Sequence, residues 1–139
     1  MSTATMTRSE KGRVAPAPRL APQPQRVADV VGAHDGVVVQ AHWQIGSQTQ
    51  VNGTDFYVGE EELGHIHLDG EAHVPLGGRL VDVVVAAGLA GRFRWSRAFA
   101  AVDATDDGRA LFIFELRRAQ IAGVDASILL QRIADRATS

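Results

Sequence analysis

The sequence contains no cysteine, which excludes disulfides, thiolate zinc sites and a cysteine nucleophile. No apolar run approaches the roughly 18 residues of a membrane span. No basic stretch followed by an apolar one opens the chain, so no Sec-type leader is expected. A Gly-rich phosphate loop is missing, because GLAGRF has neither the spacing nor the Lys-Ser/Thr of one. So is a Gly-x-Ser-x-Gly nucleophile elbow. At 139 residues the chain is too short for a TIM barrel, which takes about 250. These absences leave a small cytoplasmic protein as the expectation. What is present is ordinary for a globular domain: 45% hydrophobic, 22% charged and a net charge of -2.

The charge is unevenly placed. The first 26 residues hold five basic residues and one acid, the only lysine (Lys11), and Pro16, Pro18, Pro22 and Pro24 out of five prolines. Such a segment has little apolar area with which to offset its chain entropy. Residues 1–25 are therefore expected to be a disordered Pro/Arg-rich tail, and residues 26–139 a single α+β domain. A basic arm of this kind could touch nucleic acid, but its charges are sparse and no aromatic lies among them, so nucleic acid is an unfavoured partner.

Periodicity sketches the domain. Val27, Val30 and Val31 mark a short helix that could begin near Pro24 and stops at Gly32. Val37 to Trp43 reads as a strand. Asn52-Gly53 is a hairpin signal, with strands expected over 55–58, 62–67 and 71–74. Leu80, Val84 and Ala87 predict a helix closed by Gly88. One or two strands are expected over 93–103. Asp106 can cap a helix through ALFIFELRRAQ, although FIFEL could also be a strand. Asp125 to Arg136 is an amphipathic helix. The fold class expected is α+β, a short antiparallel sheet of about five or six strands with three or four helices packed on it.

The most informative stretch is ELGHIHLDGEAHVP. His65 and His67 share a strand face because side chains alternate. A three-residue loop of Leu68, Asp69 and Gly70 places His73 opposite His65, with Gly70 in the left-handed position of a type I turn plus G1 bulge. Ile66, Ala72 and Val74 then point one way, and His65, His67, Glu71 and His73 the other. A two-residue loop would mix the faces, so register favours the longer one. His65, His67, Glu71 and His73 are thus the candidate ligand-binding residues. His65, His67 and His73 are the candidate ligands of a divalent metal, since imidazole is its commonest protein ligand. Glu60, Glu61 and Glu62 adjoin them and could add a ligand. The same cluster suits acid and base catalysis. His34 and His42 are isolated in sequence and read as structural or surface residues. Arg92, Arg94 and Arg97 would share a face on a strand, where a solvated edge is the simpler reading.

The run FYVGEEELGHIHLDGEAHVPLGGRLVDVVVAAGLA resembles the small bacterial "luciferase domain" family of largely uncharacterised proteins. Its members read Gly-x-Glu-(Leu/Phe)-Gly-His-x-His-Pro-Asp-Gly, followed by a His or Asp, a Pro and an Ala-Ala-Gly helix end. The resemblance covers roughly Asp55 to Ile121, and His65, His67, Asp69, Gly70 and His73 fall on its motif. Leu68 stands where the family has Pro. The resemblance implies an α+β domain with a helix over 106–120. It does not imply light emission, because the chain is too short for the barrel of the bacterial flavin luciferases. The function expected is small-molecule or ligand binding at the histidine face, with no membrane partner. An enzyme using the same face, with or without a divalent metal, and a homodimeric interaction module are the two rivals.

Overall fold

The computed structural model describes residues 6–44, 47 and 49–139. Within them six strands form one antiparallel sheet: Val37–Trp43 (β1), Val51–Val58 (β2), Glu61–His67 (β3), Glu71–Val74 (β4), Gly91–Arg92 (β5) and Ala100–Asp103 (β6), in the order β1-β2-β3-β4-β6-β5. Four α-helices accompany it: Pro22–Gly32 (α1), Gly78–Ala86 (α2), Asp107–Ile121 (α3) and Ala126–Ala137 (α4). The fold is α+β, as the periodicity and the resemblance both imply.

Local chemistry explains the helix ends. Pro22 opens α1 at a position whose N–H has no intrahelical partner. Gly88 adopts φ +74° beyond α2, and Leu89 N donates back to Val84 O at 2.9 Å. Asp106 caps α3 by accepting from Arg109 N at 3.3 Å, and Asp125 caps α4 by accepting from Ser127 N at 2.9 Å. The α3 cap and the burial of Ala110, Ile113 and Phe114 at helical spacing decide FIFEL for a helix.

The two faces of the sheet differ in character. Phe56, Leu63, Ile66, Ala72, Val74, Ala100 and Val102 are buried with the apolar stripes of all four helices. Phe114 of α3 rests directly on Gly64, where an added Cβ would lie 2.5 Å from its ring. The opposite face carries the histidines.

Three elements differ from the sequence expectation. Asn52-Gly53 does not turn the chain; it lies inside β2, and the β1–β2 connection runs over 44–50, where Gln44 N donates to Gln50 O at 2.8 Å. The polar face of β2 has work for both residues there, as described below. Only 91–92 and 100–103 are strands beyond α2, and 93–99 is a chain of turns that lifts Phe93 and Phe99 over the histidines. Arg94 and Arg97 thus share no strand face with Arg92. Finally, from Met6 onward the Pro/Arg-rich segment lies against the sheet. Arg8 Nε donates to Gln40 Oε1 at 3.1 Å, Trp43 Nε1 donates to Arg13 O at 2.8 Å, and Ala41 N donates to Ala15 O at 2.9 Å. The segment crosses the polar face, turns around the β1 edge and delivers buried Leu20 to the helical side. Its polar atoms find partners on β1 and on the β2–β3 turn, a source of order that composition does not reveal.

Replacing Gly64 with Ala is expected to overpack the Phe114 contact and lower stability by about 1–3 kcal/mol. Urea unfolding should show a lower midpoint at an unchanged m value.

Candidate functional site

The site grows from the β3–β4 bend. Gly70 has φ +93° and its N–H donates to His67 O at 2.9 Å, while Asp69 Oδ1 accepts from Glu71 N at 2.9 Å. His65 therefore pairs with His73 and Ile66 with Ala72. Ile66, Ala72 and Val74 go to the core. His65, His67, Glu71 and His73 occupy the other side, as the three-residue loop requires.

Two further strands complete it. β3 holds one residue more than β2, for Phe56 pairs with Gly64 but Tyr57 with Glu62. The bulge reverses the alternation, so Glu62 joins the face of His65 instead of opposing it. Glu62 Oε2 lies 2.6 Å from His65 Nδ1. On the far side, His42 of β1 and His67 of β3 both pair with Gly53 of β2. With no side chain between them, the two rings meet edge to face at 4.9 Å. His42 also stacks on His65, with centroids 4.1 Å apart and planes within 8°.

Each of three imidazoles is tied to a carboxylate on its outward nitrogen. His42 Nδ1 lies 2.7 Å from Asp55 Oδ1, His65 Nδ1 2.6 Å from Glu62 Oε2, and His73 Nε2 2.7 Å from Glu71 Oε1. His67 Nδ1 instead meets Asn52 Nδ2 at 3.0 Å, so an Asn52 N–H donates to it. The inward nitrogens converge. His73 Nδ1 stands 3.2 Å from His65 Nε2 and 3.0 Å from His67 Nε2. His42, His65 and His67 each bring a ring nitrogen within 4.8 Å of the other two, and Asp55, Glu62 and His65 form a second such group.

Burial governs the charges here. His42, Asp55, Glu62, His65 and His73 are each less than a tenth exposed. Burial pushes Glu62 up to about 7, aided by Asp55 and opposed by Lys11, His42 and Arg117. Burial also drives His65 well below the usual imidazole range, with His42 adding to the effect. His67 is lowered to about 4 by burial and by His42 and His73. Asp55 goes the other way. Burial raises it, but the hydrogen bond and charge of His42, with Lys11 at 3.4 Å, outweigh that and keep the carboxyl below its ordinary value. Asp55 is therefore the fixed anion of the site, and Tyr57 Oη donates to its other oxygen region at 3.3 Å. Phe93 walls the site 4.2 Å from His73, and Phe99 stands 5.9 Å from His65.

Residues 60–119 match the family model described as Luciferase domain. No curated protein and no solved structure matches the chain. The luciferase-domain segment holds His65, His67, Glu71 and His73 but not His42, Asp55 or Lys11, which precede it.

All four candidate residues of the luciferase-domain hairpin stand together. Glu60 and Glu61 do not join them: Glu60 Oε1 accepts from Ser9 N at 2.8 Å, and Glu61 faces Arg117 at 3.4 Å. His34 lies apart beside Glu115. His42 is the histidine that sequence reading passed over. Its signal was the alternation of β1, which sets Gln40 and His42 on one side, but the strand pairing that brings this side to His65 is not local. Asp55 was hidden in the same way.

Asp55→Ala is expected to cost about 3–5 kcal/mol, because it strips the carboxylate shared by Lys11, His42 and Tyr57 from a buried position. Glu71→Ala, at an exposed carboxylate, is expected to cost no more than about 1 kcal/mol. Chemical denaturation of the two variants checks the contrast.

Proposed function

We propose that this luciferase-domain protein binds a small molecule on the histidine face of its sheet. The observation that carries the reading is the burial of five ionisable side chains, His42, Asp55, Glu62, His65 and His73, on one side of the sheet. A sheet face that serves only to be covered is more stable when apolar, because taking such groups out of water is unfavourable even when they are paired. The half-buried His67, the exposed Glu71 and the rings of Phe93 and Phe99 border this polar floor. Imidazoles that donate or accept, flanked by aromatic walls, suit a planar molecule with hydrogen-bonding groups on its rim.

The floor is built on strands rather than loops. His65 and His73 are fixed by pairing across β3 and β4, and their outer nitrogens are held by carboxylates. Binding there needs little rearrangement, which favours affinity.

Ligand-observed NMR with planar hydrogen-bonding fragments tests the reading on chelator-treated protein. Fragments are expected to bind the wild type and to lose at least about tenfold in affinity against Phe93→Ala and His67→Leu, a loss of about 1.4 kcal/mol. His67→Leu is expected to keep or raise the thermal midpoint. Fragments that bind all three proteins alike, together with a lowered midpoint for His67→Leu, would sink the proposal and leave the face a structural one.

A further inference from the structure

With Glu62 ionised, two inward nitrogens of the cluster cannot satisfy each other. Where Glu62 and Glu71 are carboxylates, His65 Nδ1–H donates to Glu62 and His73 Nε2–H donates to Glu71. A neutral imidazole carries one N–H. His65 Nε2 and His73 Nδ1 are then both lone pairs, and they face each other at 3.2 Å. His67 Nε2–H, with its Nδ1 accepting from Asn52, supplies a proton to His73 Nδ1 but none to His65 Nε2. His42 Nδ1 is held by Asp55 in the same way, and its ring lies flat against His65. Lone pairs pointing into one buried space call for a positive centre between them.

We propose that this centre is a divalent first-row transition metal ion, bound by His65, His67 and His73. The proposal rests on the reading of this face as the functional one and gives it a cofactor. Three features fit. Metal-bound imidazoles with bonds of about 2.0–2.1 Å hold their nitrogens about 3.3 Å apart in a tetrahedral site. The contacts of His73 Nδ1 with His65 Nε2 and His67 Nε2, at 3.2 and 3.0 Å, already have that spacing. The plane of His73 crosses those of His65 and His67 at 87° and 68°, so these three rings can face one ion, while His42, stacked flat on His65, backs the site. The carboxylates on His65 and His73 orient those rings and raise their basicity, as outer partners of metal-bound histidines do. Neutral nitrogen donors without thiolate suit Zn²⁺, Co²⁺ or Fe²⁺ over Mg²⁺ or Ca²⁺. For His67, a half-turn of the Asn52 amide, so that its oxygen accepts from Nδ1–H, turns Nε2 into a donor to the metal.

The experiment uses untagged, full-length protein stripped with chelator and titrated with Zn²⁺ and Co²⁺. One equivalent is expected to bind, with a raised thermal midpoint and the visible bands of low-coordinate Co²⁺. His65→Ala and His73→Ala are each expected to weaken Zn²⁺ by at least about 100-fold, and Glu62→Gln by about 10- to 100-fold. His34→Ala should bind as the wild type does. Wild type that takes up no stoichiometric Zn²⁺ or Co²⁺, or shows no midpoint shift, overturns the proposal whatever the variants do. Zn²⁺ affinity at the wild-type level in His73→Ala overturns it as well. Fragment binding by the stripped protein persists if only the metal is wrong, whereas metal uptake without fragment binding refutes only the small-molecule reading.

Discussion

Everything polar in this structure depends on the pairing of buried imidazoles with carboxylates across the strands of one sheet. An isolated ionised group in such a position would be expelled or neutralised. Here Asp55 is held as an anion by His42 and Lys11, and Glu62 is held against His65 at a separation where one proton serves both. Neither pair is local in the ordinary sense. The first joins β1 to β2. The second exists only because a bulge in β3 turns Glu62 to the side of His65.

The helical side of the sheet makes that arrangement tolerable. Phe56, Leu63, Ile66 and Val74 bury their apolar area against the helices on the reverse of the same strands. Each strand thus serves two purposes at once, and a one-residue slip of register would exchange them. Gly70 guards against this at the bend, and Gly64 guards against it at the bulge by admitting the Phe114 ring. The N-terminal segment adds a third constraint. By bonding Gln40, Asp55 and Ala41 it ties the β1 edge to the polar floor, and so supplies Lys11 to the site from the far end of the chain.

Much of this could be read before any coordinates. Alternation in GHIHLDGEAHV and the demand for sorted faces located the His65–His73 pair, and capping residues located α3 and α4. Reading failed where the deciding contact was distant. Asn52-Gly53 has the composition of a hairpin turn, yet Gly53 is wanted in mid-strand to let His42 meet His67, and Asn52 to hold His67 Nδ1. His42 carries no local mark, since its place beside His65 follows from a pairing order that periodicity does not encode. Glu62 obeyed the alternation rule on paper and broke it in space, because a bulge adds a residue without a strong sequence signature. The proline-rich segment misled for the converse reason: its composition lacks apolar area, while its order comes from hydrogen bonds to a sheet it does not belong to.

The luciferase-domain match begins at Glu60 and so contains only part of the polar cluster. Glu62, His65, His67, Glu71 and His73 come from the matched segment; His42, Asp55 and Lys11 come from the chain before it. The bare hairpin would present three imidazoles with two carboxylates, Glu62 and Glu71, at an open sheet edge. β1 and β2 change the chemistry. They cover the outer edge of β3 and stack a fourth imidazole on His65. The buried polar cluster is therefore a product of the whole sheet, even though the recognisable motif occupies only its middle.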